Sequence, residues 1–333
     1  MVINLIIYLL KNLLKLIRHL FWLGLWVFGL AILLWLPLRW WPGDRLRPVQ
    51  MLNYFMPWLL VALTPALIMA ATARRLKLMM VLAISTLAIA LNFAPLFLPR
   101  LDVALAGNTS LQVMSYNLLY RNQNLTDALA IIRQEQPDIL LLQEVTPEIA
   151  KTFQTLHDIY PDGPAHYAYD PPSGQATISR YPILQVEIAR EKGRILKVQV
   201  DTPGGLINVW NVHPNTPHNW PRHYHQLTAL AGDIAGVEGP LIVGGDFNTT
   251  YHSEAYRLIN RQLSNAQWDA GWGFGFTFPA NTPRIRAVPI LTPVIRIDHI
   301  FHNDYFFAQR AETLASAGGS DHLPIVAEFS LVK

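Results

Sequence analysis

Three apolar runs near the N-terminus constrain this chain more than any other feature. Residues 21–38, 51–73 and 78–99 carry no formal charge, and each is close to the roughly 20 residues that a helix needs to cross a bilayer. A cleaved leader has one short apolar core followed by a small-residue cleavage site. Here the runs repeat, so they are read as retained anchors: three membrane-spanning helices. Ahead of them, residues 2–19 place Lys11, Lys15 and Arg18 at three- and four-residue steps among Leu and Ile. That is the pattern of an interfacial amphipathic helix or of an extension of the first span.

Charge divides the chain at the same place. Residues 1–100 hold ten Lys and Arg against Asp44 alone, a net of +9, while the remainder carries −6. The overall pI of about 9.1 therefore belongs to the anchor. An acidic second part offers no broad basic field for a polyanion, which argues against a tight non-specific nucleic-acid binder, although a bound divalent cation would offset some of the acid. The chain has no cysteine, which excludes disulfides, thiolate metal ligands and a thiol nucleophile. Around the spans, Lys11, Lys15, Arg18, Arg74, Arg75 and Lys77 flank one side, against Arg39, Arg45, Arg47 and Arg100 on the other. The excess puts the N-terminus in the cytoplasm and, after three crossings, the rest of the chain outside it.

The expected organisation is a membrane anchor over residues 1–100, a short linker over 101–110 (LDVALAGNTS), and a catalytic domain over 111–333. In the last of these, 111–116 and 138–145 read as buried strands with an amphipathic helix between them, a β-α-β opening. Further strands are expected at 195–200, 206–212, 240–246, 295–301 and 324–331, with a helix near 220–235. Many strands with few long helices predict an α/β fold of two packed sheets flanked by helices.

Polar residues able to bind metal or move protons stand at the ends of these apolar strands, where sites are assembled. They are Asn117, Glu144, His213, Asp246 with Asn248, Asp298, and the pair Asp321 and His322. The strings SYN, LLQEV, NVHP, GGDFN, RIDHIF and SDHLP follow one another in this order. Together they resemble the endonuclease/exonuclease/phosphatase superfamily, over residues 109 to 331. The resemblance implies a four-layer α/β/β/α sandwich and a metal-dependent phosphoester hydrolase, working with Mg²⁺ or alternatively Mn²⁺.

It further implies Glu144 as the principal metal ligand, with Asn117 and Asp321 beside the metal. Asp246 would orient or deprotonate the attacking water, and Asn248 would meet the phosphate. His213 would contact the phosphate or the leaving oxygen. His322 and Asp298 would form a histidine–carboxylate dyad; which of Asp246 and His322 acts as base stays open. Arg180 and Arg222, each following a strand end, are candidate phosphate contacts. His218, His223, His225, His252, His299 and His302 read as surface or hydrogen-bonded histidines. The substrate is expected to be a lipid or lipid-linked phosphodiester, because the domain is tethered close to a bilayer partner and residues 271–297 combine Trp272, Phe274, Phe276 and Phe278 with an apolar stretch at 287–295. The alternative is a membrane-anchored nuclease on DNA or RNA. Nothing in the sequence calls for an obligate protein partner.

Overall fold

The computed structural model describes residues 2–98, 110–122, 124–153, 156–161, 166–189, 194–281, 284–285, 288–289 and 292–332. It divides into two compact units, Met1–Pro95 and Leu96–Lys333. The expected linker, but for Ser110, and Ala287, Ile290 and Leu291 of the apolar stretch 287–295 lie outside the described residues.

The first unit is helical. Helix α1 (Val2–Leu38) is continuous over 37 residues, so residues 2–19 extend the first apolar run. At 1.5 Å per residue it is about 55 Å long, nearly twice a hydrocarbon core of about 30 Å. Helices α2 (Arg47–Tyr54) and α3 (Met56–Thr72) meet at 82°. The break falls at Phe55, just ahead of Pro57, whose missing N–H and ring oppose a continuous helix through that point. Helix α4 (Leu76–Phe93) continues into a 3-10 turn, Ala94–Phe97. Two segments, α1 and Leu76–Phe97, are long and apolar enough to cross a membrane, and α2 with α3 would make a third if the bent pair is one span. At Gly29 the α1 backbone comes so near α4 that an added Cβ would stand 2.9 Å from Val81 Cγ1, the close approach that small residues allow between apolar helices. Asp44, the one acid among the first hundred residues, is buried and accepts a hydrogen bond from Asn53 Nδ2, whose Oδ1 takes the Trp35 indole N–H.

The second unit holds two six-stranded mixed sheets. The first has the order β13 (Phe306–Thr313), β14 (Ile325–Leu331), β1 (Ser110–Asn117), β2 (Ile139–Gln143), β4 (Gln175–Ser179), β3 (Tyr167–Asp170). The second has the order β5 (Ile183–Ala189), β6 (Ile195–Thr202), β7 (Gly205–Val212), β8 (Leu241–Asp246), β12 (Asp298–His302), β9 (Ser264–Asn265). A separate two-residue pair joins β10 (Arg284–Ile285) to β11 (Val288–Pro289).

Strand alternation explains the layers. Val113, Leu141 and Ile325 from the first sheet meet Val198, Val209, Ile242 and Ile300 from the second in one buried cluster. The opposite face of the first sheet, through Met114, Tyr116, Leu140 and Leu142, packs on Ile132 of α5 (Leu125–Glu135) and on Ile149 and Phe153 of α6 (Pro147–Phe153). On the outside of the second sheet, Lys197 bonds Asp233 of α7 (Trp220–Ile234), and Phe301 packs on Tyr256 of α8 (Glu254–Asn260). The result is the expected α/β/β/α sandwich.

A buried polar network interrupts the apolar layer. Asn211 of β7, fully buried, sends Nδ2 to the carbonyls of Leu142 and Ala176 in the other sheet, at 2.9 Å each. Its Oδ1 accepts from Gln143 Nε2 at 2.8 Å, and its backbone oxygen accepts from Gln175 Nε2 at 2.7 Å. This single side chain ties β7 to β2 and β4. Asn211→Ala takes the side-chain acceptor from Gln143 and the donor from the Leu142 and Ala176 carbonyls, leaves the Gln175 bond to the backbone oxygen in place, and is expected to cost about 3 kcal/mol of unfolding free energy. Denaturant unfolding of the purified chain checks this, and a loss below about 1 kcal/mol would show that the amide is not a clamp.

Candidate active site

Two parallel strand pairs aim at one edge of the sandwich. β1 and β2 are parallel, as are β7 and β8, and in each pair a crossover helix, α5 or α7, connects the two. Their C-terminal ends deliver Asn117, Glu144, His213 and Asp246. Antiparallel neighbours deliver the rest: β12 sets Asp298 opposite Asp246, and β14 sets Ile325 opposite Ser115, so the turn carrying Asp321 and His322 reaches the same edge.

The hub is Asp246 Oδ2. Asn117 Nδ2 donates to it at 3.0 Å across the two sheets, His213 Nε2 stands 3.7 Å away, and His322 Nε2 stands 3.8 Å away. The other oxygen, Oδ1, accepts the backbone N–H of Asn248 at 2.8 Å. Asn117 Nδ2 also faces Glu144 Oε1 at 3.4 Å, and Glu144 Oε2 accepts the N–H of Tyr120 at 3.0 Å. Asn117 Oδ1 takes the Leu119 N–H at 3.0 Å. In this arrangement Asn117 presents its amide nitrogen to the two acids and stands beside the expected metal position.

His322 Nδ1 lies 2.9 Å from Asp298 Oδ2, forming the dyad. Asp298 makes no ion pair with Arg296, whose Nη1 donates instead to Gly275 O and Thr313 Oγ1. Burial opposes charge on His322, but Asp298 and Asp246 outweigh it and raise the imidazole to about 10. On His213 burial opposes charge in the same way and prevails, lowering the imidazole to about 4 despite the attraction of Glu144, with Arg194 and His322 adding to the effect. Burial also raises Asp246, against the pull of His322 and the bonds from Asn248 and Asn117. Asp321 is raised by burial and by the negative charge of Glu144, with His322 working against the shift.

The acid cluster suits a hard cation. Asp246, Asp298 and His322 place ligand atoms within 4.8 Å of one another, but the dyad bond occupies one atom each on Asp298 and His322. Glu144 and Asp321 are free of that bond and offer carboxylate oxygen, and the charge of Glu144 raises Asp321, a repulsion that a bound divalent cation would relieve.

Backbone shape matters at two corners. Glu144 and Asn248 have φ of +57° and +51°, the left-handed region that suits Asn and costs a glutamate. Below the second corner, two fully buried histidines brace the turn: His223 Nε2–H donates to Phe247 O at 3.1 Å, and His299 Nε2–H donates to Thr249 O at 2.9 Å. Of the two roles the sequence leaves open for these histidines, surface or hydrogen-bonded, the second holds for both, and the turn that they support is the one carrying Asn248.

Several site residues were missed. Ser320 Oγ donates to Asn117 O at 2.7 Å and accepts the His322 N–H at 3.0 Å, joining two corners of the site. The Phe278 ring stands 4.9 Å from the His322 imidazole. Arg194 adjoins His213, whose N–H it accepts through its carbonyl at 3.2 Å. Arg180, by contrast, is corrected: it follows β4, which runs antiparallel to β2, so it lies beside Asp138 and the Gln136 carbonyl at the strand end away from Glu144. Arg222 sits exposed in the first turn of α7, and among the described residues it makes no contact with the cluster.

The Endonuclease/Exonuclease/phosphatase family matches residues 114–322. A curated relative, the UPF0294 protein YE0917 of Yersinia enterocolitica, is 25% identical over 236 residues, covering 66% of this chain and 83% of that protein. Among solved structures, an endonuclease/exonuclease/phosphatase family protein of Bacteroides thetaiotaomicron aligns with a TM-score of 0.53 at 19% identity, over 67% of this chain and 96% of its own. The mannosyl-6-phosphatase Bt3783 of the same organism gives 0.53 at 19%, over 66% of this chain and all of its own. TDP2 of D. rerio, complexed with a single-strand DNA product, gives 0.55 at 17%, over 67% of this chain and 100% of its own. At these identities the structural likenesses establish the fold alone. With the family match spanning most of the sandwich and its strand tips, the chain belongs to the endonuclease/exonuclease/phosphatase family of phosphoester hydrolases.

Proposed function

We infer that this chain is a membrane-anchored, Mg²⁺-dependent phosphodiesterase that hydrolyses a lipid or lipid-linked phosphoester. The observation that carries the chemistry is the convergence of Asn117, His213 and His322 on one oxygen of Asp246 within 3.8 Å. The membrane reading rests on apolar helices of spanning length in the first unit. The domain limits follow the sequence: anchor over 1–100, linker over 101–110, catalytic domain from 111.

Glu144 and Asp321 would hold the cation, which when bound neutralises charge on a non-bridging phosphate oxygen and makes a nearby water more acidic. Asn117 fixes Glu144 and Asp246 relative to each other through one amide. Because His322 already carries its proton, Asp246, its carboxyl raised by burial, is the one of the two candidates left to act as base, and it takes a proton from the attacking water. His322 is held as imidazolium by Asp298, so its Nε2–H donates to the phosphoryl oxygens as charge builds on them. His213, neutral and buried, positions the leaving oxygen. Asn248 sends its side-chain amide to Pro214 O at 3.2 Å, which ties the Asp246 turn to the segment after His213. Arg194, in place of Arg180, supplies the cation beside the phosphate.

Counting α2 with α3 as one span gives three crossings and places the catalytic domain outside the cytoplasm. Counting only two returns it to the side of the N-terminus, so sidedness turns on the bent pair. Protease added to sealed, right-side-out vesicles is expected to digest the catalytic unit. Digestion only after the vesicles are opened would overturn the outside placement.

The deciding assay gives the purified chain headgroup-labelled lipids and plasmid DNA, with Mg²⁺ and then with a chelator. Lipid turnover that the chelator abolishes is expected; nicking of DNA without lipid turnover would make the enzyme a nuclease. Glu144→Gln and His322→Ala are each expected to lose roughly 10²- to 10⁴-fold in kcat with unfolding unchanged. A near-wild-type rate in either variant would refute its role. Arg194→Ala removes a charged contact and is expected to raise KM about tenfold with a smaller effect on kcat; an unchanged KM would clear Arg194 of substrate binding.

A further inference from the structure

After α9 (Ala266–Ala270) the chain enters a segment of alternating glycine and aromatic residues: Gly271, Trp272, Gly273, Phe274, Gly275, Phe276, with Phe278 two residues on. Residues 271–283 carry no charge. A water-facing loop of this composition would be unusual in a soluble domain. The loop is also held rigidly from inside. Buried Gln267 sends Nε2 to the carbonyls of Trp272 and Gly273 at 3.2 and 3.1 Å, and buried Arg296 sends Nη1 to Gly275 O at 2.6 Å. Tyr251 OH donates to Phe274 O at 3.2 Å. Two glycines are needed for this fit: a Cβ on Gly271 would fall 2.4 Å from Gln267 Cδ, and one on Gly275, where φ is +57°, would fall 2.5 Å from Arg296 Nη1.

On this pinned backbone Trp272 remains 67% exposed. Its partner is Phe97, whose ring meets Trp272 edge-on at 6.0 Å and Phe274 at 5.1 Å, while Gly273 N donates to Leu96 O at 2.8 Å. Leu96 and Phe97 belong to the second unit, and Phe97 is also the last residue of the 22-residue apolar segment Leu76–Phe97. A helix that spans a bilayer ends at the interface, the depth at which tryptophan is favoured because its ring is apolar and its N–H is polar. Phe97 and the following Leu98 are themselves 42% and 58% exposed.

We propose that Trp272, with Phe97 and Leu98, is a membrane seat: it lodges in the headgroup region of the leaflet and holds the mouth of the active site against the bilayer. The aromatic strip leads from that seat to the chemistry. Phe274 and Phe276 stack at 5.1 Å, and Phe278 closes on the His322 ring at 4.9 Å. Thr277 Oγ1, between them, accepts the backbone N–H of Ile297 at 3.2 Å, next to Asp298 of the dyad. A phosphoester presented from the leaflet surface then meets the dyad without leaving the membrane, which narrows the substrate to a lipid headgroup phosphoester in that leaflet. The proposal rests on the membrane-anchored reading given above.

The chain lacks cysteine, so one can be introduced at a chosen place. Trp272→Cys and, as reference, Asp304→Cys in the turn at the opposite end of β12 are labelled with an environment-sensitive dye. The full chain is reconstituted in phosphatidylethanolamine–phosphatidylglycerol vesicles. The 272 label is expected to shift to the blue and to be quenched by spin-labelled lipid, while the 304 label is quenched by aqueous iodide. Equal iodide quenching at both positions, in protein that resists alkaline extraction, would overturn the seat and leave the anchor standing. Protein released by alkaline extraction would overturn both. In a parallel assay Trp272→Ala is expected to lose at least about tenfold in turnover of vesicle lipid and to keep its rate on a soluble chromogenic phosphodiester. An equal loss on both substrates would assign Trp272 to folding instead.

Discussion

The chemistry of this protein depends on two sheets being held so that their strand ends stay level. Apolar packing alone does not fix that alignment, because methyl surfaces slide at little cost and hydrophobic attraction has no direction. Asn211 supplies the direction. Its amide bonds two carbonyls of the opposing sheet, and the glutamine that it holds, Gln143, immediately precedes Glu144. Asn211 itself stands two residues before His213. A shift of one sheet against the other therefore breaks buried hydrogen bonds before it displaces the site, and the geometry around Asp246 inherits the precision of those bonds.

Direction of travel decided what could be read from the sequence. A polar residue after an apolar strand is visible in the amino-acid order, which is why Glu144, Asp246 and His322 were legible. Whether that strand runs toward or away from the others is not visible. Arg180 follows β4 as plainly as Glu144 follows β2, yet the two strands are antiparallel and the arginine is delivered to the far edge. Arg194 shows the converse: it precedes a strand, β6, that is antiparallel to β7 and so arrives beside His213. Asn211 was hidden for another reason. In a strand buried on both faces, no alternation marks which polar residue points inward.

The anchor was legible in composition and less so in geometry. Charge-free runs mark apolar helices, but Pro57 breaks the second into two pieces at 82°, and hydropathy summed over a window is blind to a bend. Among the longer strands, β3, β5 and β13 went unpredicted. In β5 the apolar residues Leu184, Val186 and Ile188 face outward, so the usual association of apolar residues with the interior fails there.

The left-handed backbone at Glu144 has an evolutionary side. A glycine would relax that corner at little cost to packing, and under the metal-holding role proposed for Glu144 the resulting protein would be sturdier but inert. Selection for robustness alone would thus push this position toward loss of activity. A glutamate retained there in natural variants would be a record of selection on turnover, readable without any assay.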